Sequence, residues 1–134
     1  MPLERDSDWL LDSMLGQYLQ RIKVKMHGTQ HTNYLDGDYE GKIGRVLGAP
    51  TVADGFEPTV TIEFEDGTSR SVLMRYVVPV EPDKLKQPVL VTGGPSKGAT
   101  ATVAGSPDSD MVVLFGDKNN IIEAAKHHLL VLYP

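Results

Sequence analysis

The chain has no cysteine, which excludes disulfides and thiolate-bound zinc and fits a reducing compartment. No apolar run approaches the ~20 residues needed to span a bilayer, so no membrane segment is expected. Met1 to Asp8 is too acidic and too polar for a secretory signal. Aromatic residues make up only 7% of the chain, with Trp9 the single tryptophan. Basic charge is also scarce. Through Pro82 there are eight Lys/Arg against thirteen Asp/Glu, and from Asp83 onward five of each. General nucleic-acid binding depends on neutralising phosphates with Lys and Arg, so this balance argues against a strong sequence-independent DNA or RNA binder. The 134 residues, 40% hydrophobic and 23% charged, are those of an ordinary globular chain.

What the chain does have is a repeat. Tyr39-Glu40-Gly41-Lys42-Ile43-Gly44-Arg45-Val46 has a weaker copy in Pro95-Ser96-Lys97-Gly98-Ala99-Thr100-Ala101-Thr102-Val103. A shift of sixty-seven places Ile22 on Val89 and Val24 on Val91, and a shift of fifty-seven places Gly41 on Gly98 and Val46 on Val103. From Val60 a shift of fifty-two serves to the end, with Val60 on Val112, Val77 on Leu129 and Pro82 on Pro134. Offsets that change only in loops, while strands stay in step, are what a duplicated domain produces. Glycine at Gly41 and Gly98 suits a sharp turn straight into a strand.

Period-two alternation predicts five short strands in the first copy: Arg21 to His27, Lys42 to Leu47, Thr59 to Glu63, Ser69 to Met74 and Tyr76 to Val80. Glu65-Asp66-Gly67-Thr68 is the hairpin signal between the third and fourth. The second copy repeats them as Val89-Thr92, Ala99-Ala104, Met111-Phe115, Asn120-Ala124 and Leu130-Tyr133, with Asp117-Lys118-Asn119-Asn120 as its hairpin turn. Ser7 is expected to cap a short helix over Asp8 to Leu19, with Trp9, Leu10, Met14 and Tyr18 on one stripe. The expected fold is all-β: a helical segment over 1–20, a first SH3-like barrel over 21–82 and a second over 83–134, joined at the charged stretch Glu81 to Lys86.

Two groups of residues qualify as a binding surface. Arg21, Lys23 and Lys25 share the outward face of the first strand, and Lys42 and Arg45 lie on the next. Such a group is read either as a partner surface or as an ordinary solvated face. The long polar loop Gly28 to Glu40, with Tyr34 and Tyr39, is the second candidate; its counterpart is little more than Gly93-Gly94-Pro95-Ser96, beside Lys97.

Catalytic and metal readings fail on the same residues. A calcium loop starting at Asp36 would need a bidentate Glu at its twelfth position, where Leu47 stands. Gly37 to Ile43 is one residue short of a phosphate loop and lacks its Ser/Thr. His27 and His31 have metal spacing only on a helix, and their segment reads as strand end and loop; His127 and His128, being adjacent, are expected on opposite sides. No nucleophile has an evident base. A non-enzymatic chain without catalytic residues, metal or cofactor is expected, and its state is expected to be monomeric.

Strand, loop, Gly-Lys or Lys-Gly, then a strand with Gly and Val resembles the KOW motif, here Ile22…Gly41-Lys42-Ile43-Gly44-Arg45-Val46 and Val89…Lys97-Gly98…Val103. The span from Trp9 to Pro134 resembles a tandem KOW pair of the NusG-related elongation factors, such as the C-terminal pair in the large subunit of DSIF. Trp9, Ile22-Lys23-Val24-Lys25, Tyr34-Leu35-Asp36 and Tyr76-Val77-Val78-Pro79-Val80 carry that likeness. Ala99-Thr100-Ala101 departs from it where a glycine is usual. The resemblance implies two SH3-like barrels, a nuclear role in transcription elongation, contact with RNA polymerase or another transcription-complex protein, and RNA or DNA as a further ligand of the basic patch. Tandem KOW pairs in a splicing factor and a DNA-repair factor share the layout and imply an RNA-binding alternative.

Overall fold

Strands form where apolar and polar residues alternate, because alternate side chains of an extended chain face opposite ways. A computed structural model describes residues 9–117 and 120–134. Its strands are β1 (Lys23–Met26), β2 (Ile43–Val46), β3 (Thr59–Phe64), β4 (Ser69–Leu73), β5 (Val77–Pro79), β6 (Pro88–Val91), β7 (Thr100–Gly105), β8 (Met111–Phe115), β9 (Ile121–Ala125) and β10 (Leu129–Val131). They make two five-stranded sheets, ordered β4-β3-β2-β1-β5 and β10-β6-β7-β8-β9. Written from the last strand of each copy, both orders are fifth, first, second, third, fourth. The all-β expectation holds at this level. The chain divides into two units, the first ending at Val78 and the second running from Pro79 to Pro134.

In the first unit Ile22, Val24 and Met26 of the first strand region, Val46, Val60, Ile62, Phe64, Val72 and Val77 are all buried. In the second, Val89, Val91, Ala101, Val103, Val112, Leu114, Ala124, Leu129 and Val131 form one apolar cluster. A short 3-10 turn precedes the last strand of each unit, Met74–Tyr76 and Lys126–His128.

Backbone hydrogen bonds fix the correspondence between copies. Gly41 N–H donates to Met26 O and Gly98 N–H to Val91 O; Val46 N–H donates to Ile22 O and Val103 N–H to Gln87 O. Gly41 and Gly98 both have positive φ, 76° and 93°. Gly41 therefore matches Gly98 as expected, but the first strands match by sixty-five residues, Met26 with Val91 and Val24 with Val89, correcting the shift of sixty-seven. A two-residue slip keeps every side chain on its face, so alternation alone does not distinguish the registers. From Val60 onward the shift of fifty-two holds: Thr59 pairs with Leu73 as Met111 pairs with Ala125, and Glu63 with Ser69 as Phe115 with Ile121.

The amino-terminal segment departs from expectation. In place of one α-helix over Asp8 to Leu19, 3-10 turns span Trp9–Leu11 and Ser13–Arg21, broken at Asp12; Ser7 and Asp8 lie outside the described residues. Asp12 takes an extended conformation and its carboxylate accepts from Met14 N–H at 3.0 Å. Asp competes for nearby backbone donors and so favours such restarts over helix interiors. Leu10 and Leu15 are buried, and the Trp9 indole N–H donates to Val77 O at 2.9 Å. Lys118 and Asn119 of the expected second hairpin turn also lie outside the described residues.

Candidate interaction surfaces

The loop between β1 and β2 is built from inside. It contains a single helical turn, α1 (Thr29–Thr32), and then Asn33, Leu35, Asp36 and Gly37, all with positive φ. Glu40 holds this bend. Its carboxylate accepts from Thr29 N–H at 2.6 Å, Thr29 Oγ1 at 2.7 Å, Gly28 N–H at 3.2 Å and Gln30 N–H at 3.3 Å. These donors, the Thr29 hydroxyl foremost, hold its pKa at about 2 against an ordinary 4.5. His27 Nδ1 lies 3.7 Å from the same carboxylate.

Tyr34 fastens the far side of the loop. Its ring stacks on Tyr76 with centroids 4.4 Å apart and planes 13° apart, and its hydroxyl accepts from Leu73 N–H at 2.9 Å. Tyr76 is buried; its hydroxyl shares a 2.7 Å hydrogen bond with Thr32 Oγ1, and the Arg75 guanidinium lies 4.8 Å from its ring centre.

Tyr39, half-buried, sits at another corner. Its ring is 5.2 Å from that of Phe64, with Lys42 Nζ 4.9 Å and Arg70 Cζ 5.6 Å from its centre. Lys42 also pairs with Asp66 at 3.2 Å. Asp66 accepts from the Thr68 hydroxyl and N–H, and these with Lys42 lower its pKa from 3.8 to about 2. Gly41, Lys42, Ile43, Phe64, Glu65 and Asp66 surround a shallow hollow of about 310 Å³ here.

Lys23 and Lys25 project from the outward side of β1, and Lys23 stands opposite Arg45 on β2. Arg45 Nε donates to Glu63 Oε1 on β3 at 2.8 Å, and Arg21 ends the 3-10 segment, exposed. The structure thus brings Lys23 and Arg45 together as a row with Glu63, and gathers Tyr39 and Lys42 at a separate corner. Lys97 lies in the second unit, in the turn before Gly98. Arg70 was not singled out by the sequence. The signal was there: the Asp66-Gly67 hairpin sets Arg70 opposite Ile62, one step from Phe64.

The second unit carries a groove of about 430 Å³ lined by Val91, Gly93 to Ser96, Met111, Ile121 to Ala125 and His128. Its rim exposes Met111 and Ile121, and Phe115 is exposed beside them on β8. His127 and His128, expected on opposite sides, have ring centroids 4.2 Å apart, because they occupy a 3-10 turn in which neighbours are separated by about 120°. Among the described residues no group of three or more His, Asp or Glu could hold a metal ion, and no helix is long and apolar enough to cross a membrane.

These elements define an all-β chain of two antiparallel five-stranded units. No protein-family model matches the chain, and no curated protein matches it.

Proposed function

We propose that the chain is a pair of SH3-like KOW barrels, a non-catalytic binding module of a transcription elongation factor that contacts RNA polymerase in the nucleus. The observation that carries the reading is the repeated strand order, with a 3-10 turn before each closing strand and a positive-φ glycine at each motif, Gly41 and Gly98. That order is the one a five-stranded SH3-like barrel requires, and the motif residues are those of the KOW resemblance. The acidic balance favours a protein as first partner. Pull-down from nuclear extract, with and without nuclease, tests it: polymerase retained after nuclease supports the reading, and polymerase absent or lost with the nucleic acid overturns it.

RNA is the second ligand in this reading. Tyr39, with Lys42 and Arg70 over its ring, joins an aromatic side chain to two cations, the residue types that single-stranded nucleic acid uses for stacking and backbone contact. The same observation serves the alternative of an RNA-binding KOW module in a splicing or DNA-repair factor, which predicts retention of RNA without polymerase.

A further inference from the structure

The edge strands of the two units, β4 and β9, leave matching backbone groups outside the sheet. In β4, Met74 N–H bonds to Pro58 O and Phe64 N–H to Thr68 O, so the backbone groups of Ser69, Ser71 and Leu73 point away from β3. In β9, Lys126 N–H bonds to Asp110 O and Gly116 N–H to Asn120 O, so those of Ile121, Glu123 and Ala125 point away from β8 in the same way. Leu73 corresponds to Ala125, and Tyr76 to His128.

In the first unit this edge is filled by the chain itself: Tyr34 lies on Tyr76 and takes the Leu73 N–H. In the second, eight fewer residues separate Val91 from Gly98 than separate Met26 from Gly41, and among the described residues no side chain is hydrogen-bonded to the Ala125 N–H as Tyr34 is to that of Leu73. The groove beside β9 is what the shortened loop leaves. Gly93 keeps its floor low, since a Cβ there would come 2.8 Å from His128 Cδ2; Gly28, its counterpart, also faces the matching ring, but a Cβ there would lie 3.8 Å from Tyr76 Cδ1, an ordinary contact. Among the described residues no hydrogen bond reaches the outward N–H groups of Ile121, Glu123 or Ala125.

The neighbouring side chains have changed too. Thr59, Glu63 and Ser69 of the first unit are replaced by Met111, Phe115 and Ile121, which are 47%, 48% and 69% exposed. Glu123 is exposed at the middle of β9, with Asp110 and Asp117 exposed at the ends of β8, while Lys126 Nζ is turned to Pro107 O at 2.8 Å.

We propose that this groove receives an extended segment of another protein carrying a tyrosine between basic and apolar residues. Its main chain bonds Ile121 and Glu123 as an added strand, its ring rests on His128 and its hydroxyl accepts from Ala125 N–H, reproducing what Tyr34 does in the first unit. Lys or Arg in the segment meets the acidic rim. A groove of this volume lies within the ~300–1,000 Å³ of ordinary ligand sites, and strand addition at an open edge is an established mode of peptide recognition. A second copy of this chain is the poorer occupant, because pairing β9 with itself sets Glu123 against Glu123. The proposal goes beyond the transcription role and does not depend on it.

The test is a titration of the intact, 15N-labelled chain with the acetylated, amidated peptide Lys-Val-Tyr-Val-Lys, followed by amide chemical shifts. Expected are saturable shifts at Ile121, Glu123, Ala125 and His128, at least tenfold weaker binding when the peptide tyrosine is alanine, and a similar loss in Glu123→Lys. His128→Ala, with first-unit shifts unchanged as evidence of folding, weakens binding several-fold. No saturable shift at millimolar peptide, shifts centred on the first unit, equal binding of the alanine peptide, or self-association through β9 in its place would each overturn the proposal.

Discussion

The Tyr34 hydroxyl accepts a hydrogen bond from the Leu73 amide, thirty-nine residues away, at 2.9 Å, tying the long loop of the first unit to its edge strand. The loop that a sequence reading offers as a partner surface is thereby anchored on its inner side. It presents Gln30, His31, Asn33, Asp36 and Asp38 outward, all exposed.

Tyr34→Phe keeps the stack and removes the hydroxyl, leaving the Leu73 amide unpaired, and should lower first-unit stability by about 1 kcal/mol. Tyr34→Ala also removes the aromatic pair, for about 2–3 kcal/mol in all. Trp9, the single tryptophan, belongs to the first unit and hydrogen-bonds Val77 O, so its fluorescence in a denaturant titration reads this transition selectively.

Acid should weaken the first unit before the second. Glu40 and Asp66 have folded pKa values lowered to about 2, so the stability they supply is complete above their ordinary values of 4.5 and 3.8 and is lost as pH falls toward 2. Lys97 and Lys118 stand in the sequence where Glu40 and Asp66 do in the first copy, so these two contributions have no counterpart in the second. Denaturation midpoints followed from pH 6 to pH 2 should fall for the wild type, and Glu40→Gln should start lower and fall less.

Matched positions in the two copies should answer oppositely to the same kind of exchange. A Cβ on Gly44 would run into Glu63 O and lie 2.8 Å from Phe64 Cα, both backbone atoms that cannot swing aside. Gly44→Ala should cost about 3 kcal/mol. Its counterpart is Ala101, nearly buried in the second core, and Ala101→Gly should cost only about 1 kcal/mol. Thermal melts of both variants check the difference.

Charge reversal of Lys23 and Lys25 tests RNA as a ligand. Arg45 and Lys42 pair with Glu63 and Asp66, and Lys23 and Lys25 lie on the outward side of β1. If both lysines meet phosphates, the double variant should reduce the slope of log affinity against log salt by about 1.4 for single-stranded RNA. Unchanged affinity would remove this face from the account.

Alternation made the strands legible, and Asp66-Gly67 made their most clearly marked hairpin legible, because both are local signals. The first-strand register was not, since a slip of two leaves Val24 and Met26 facing inward in either alignment. The amino-terminal stripe suggested a helix, but Asp12, which breaks one, carried more weight than the spacing of Trp9, Met14 and Tyr18. The basic residues were visible, but their acidic partners Glu63 and Asp66 are set by strand pairing. The role of Tyr34 and the open groove beside β9 were hidden for a related reason: each depends on a contact across the unit, and the second on a loop being short.

Amide hydrogen exchange at two matched positions, Leu73 and Ala125, tests most directly the claim that one unit was copied and that the long loop fills in the first what the short loop leaves open in the second. In the intact chain Leu73 should be strongly protected and Ala125 should exchange close to the rate of an open strand edge, with Tyr34→Phe bringing Leu73 to the same fast rate. Equal protection of the two amides, or a Leu73 rate that ignores the Tyr34 substitution, would contradict it.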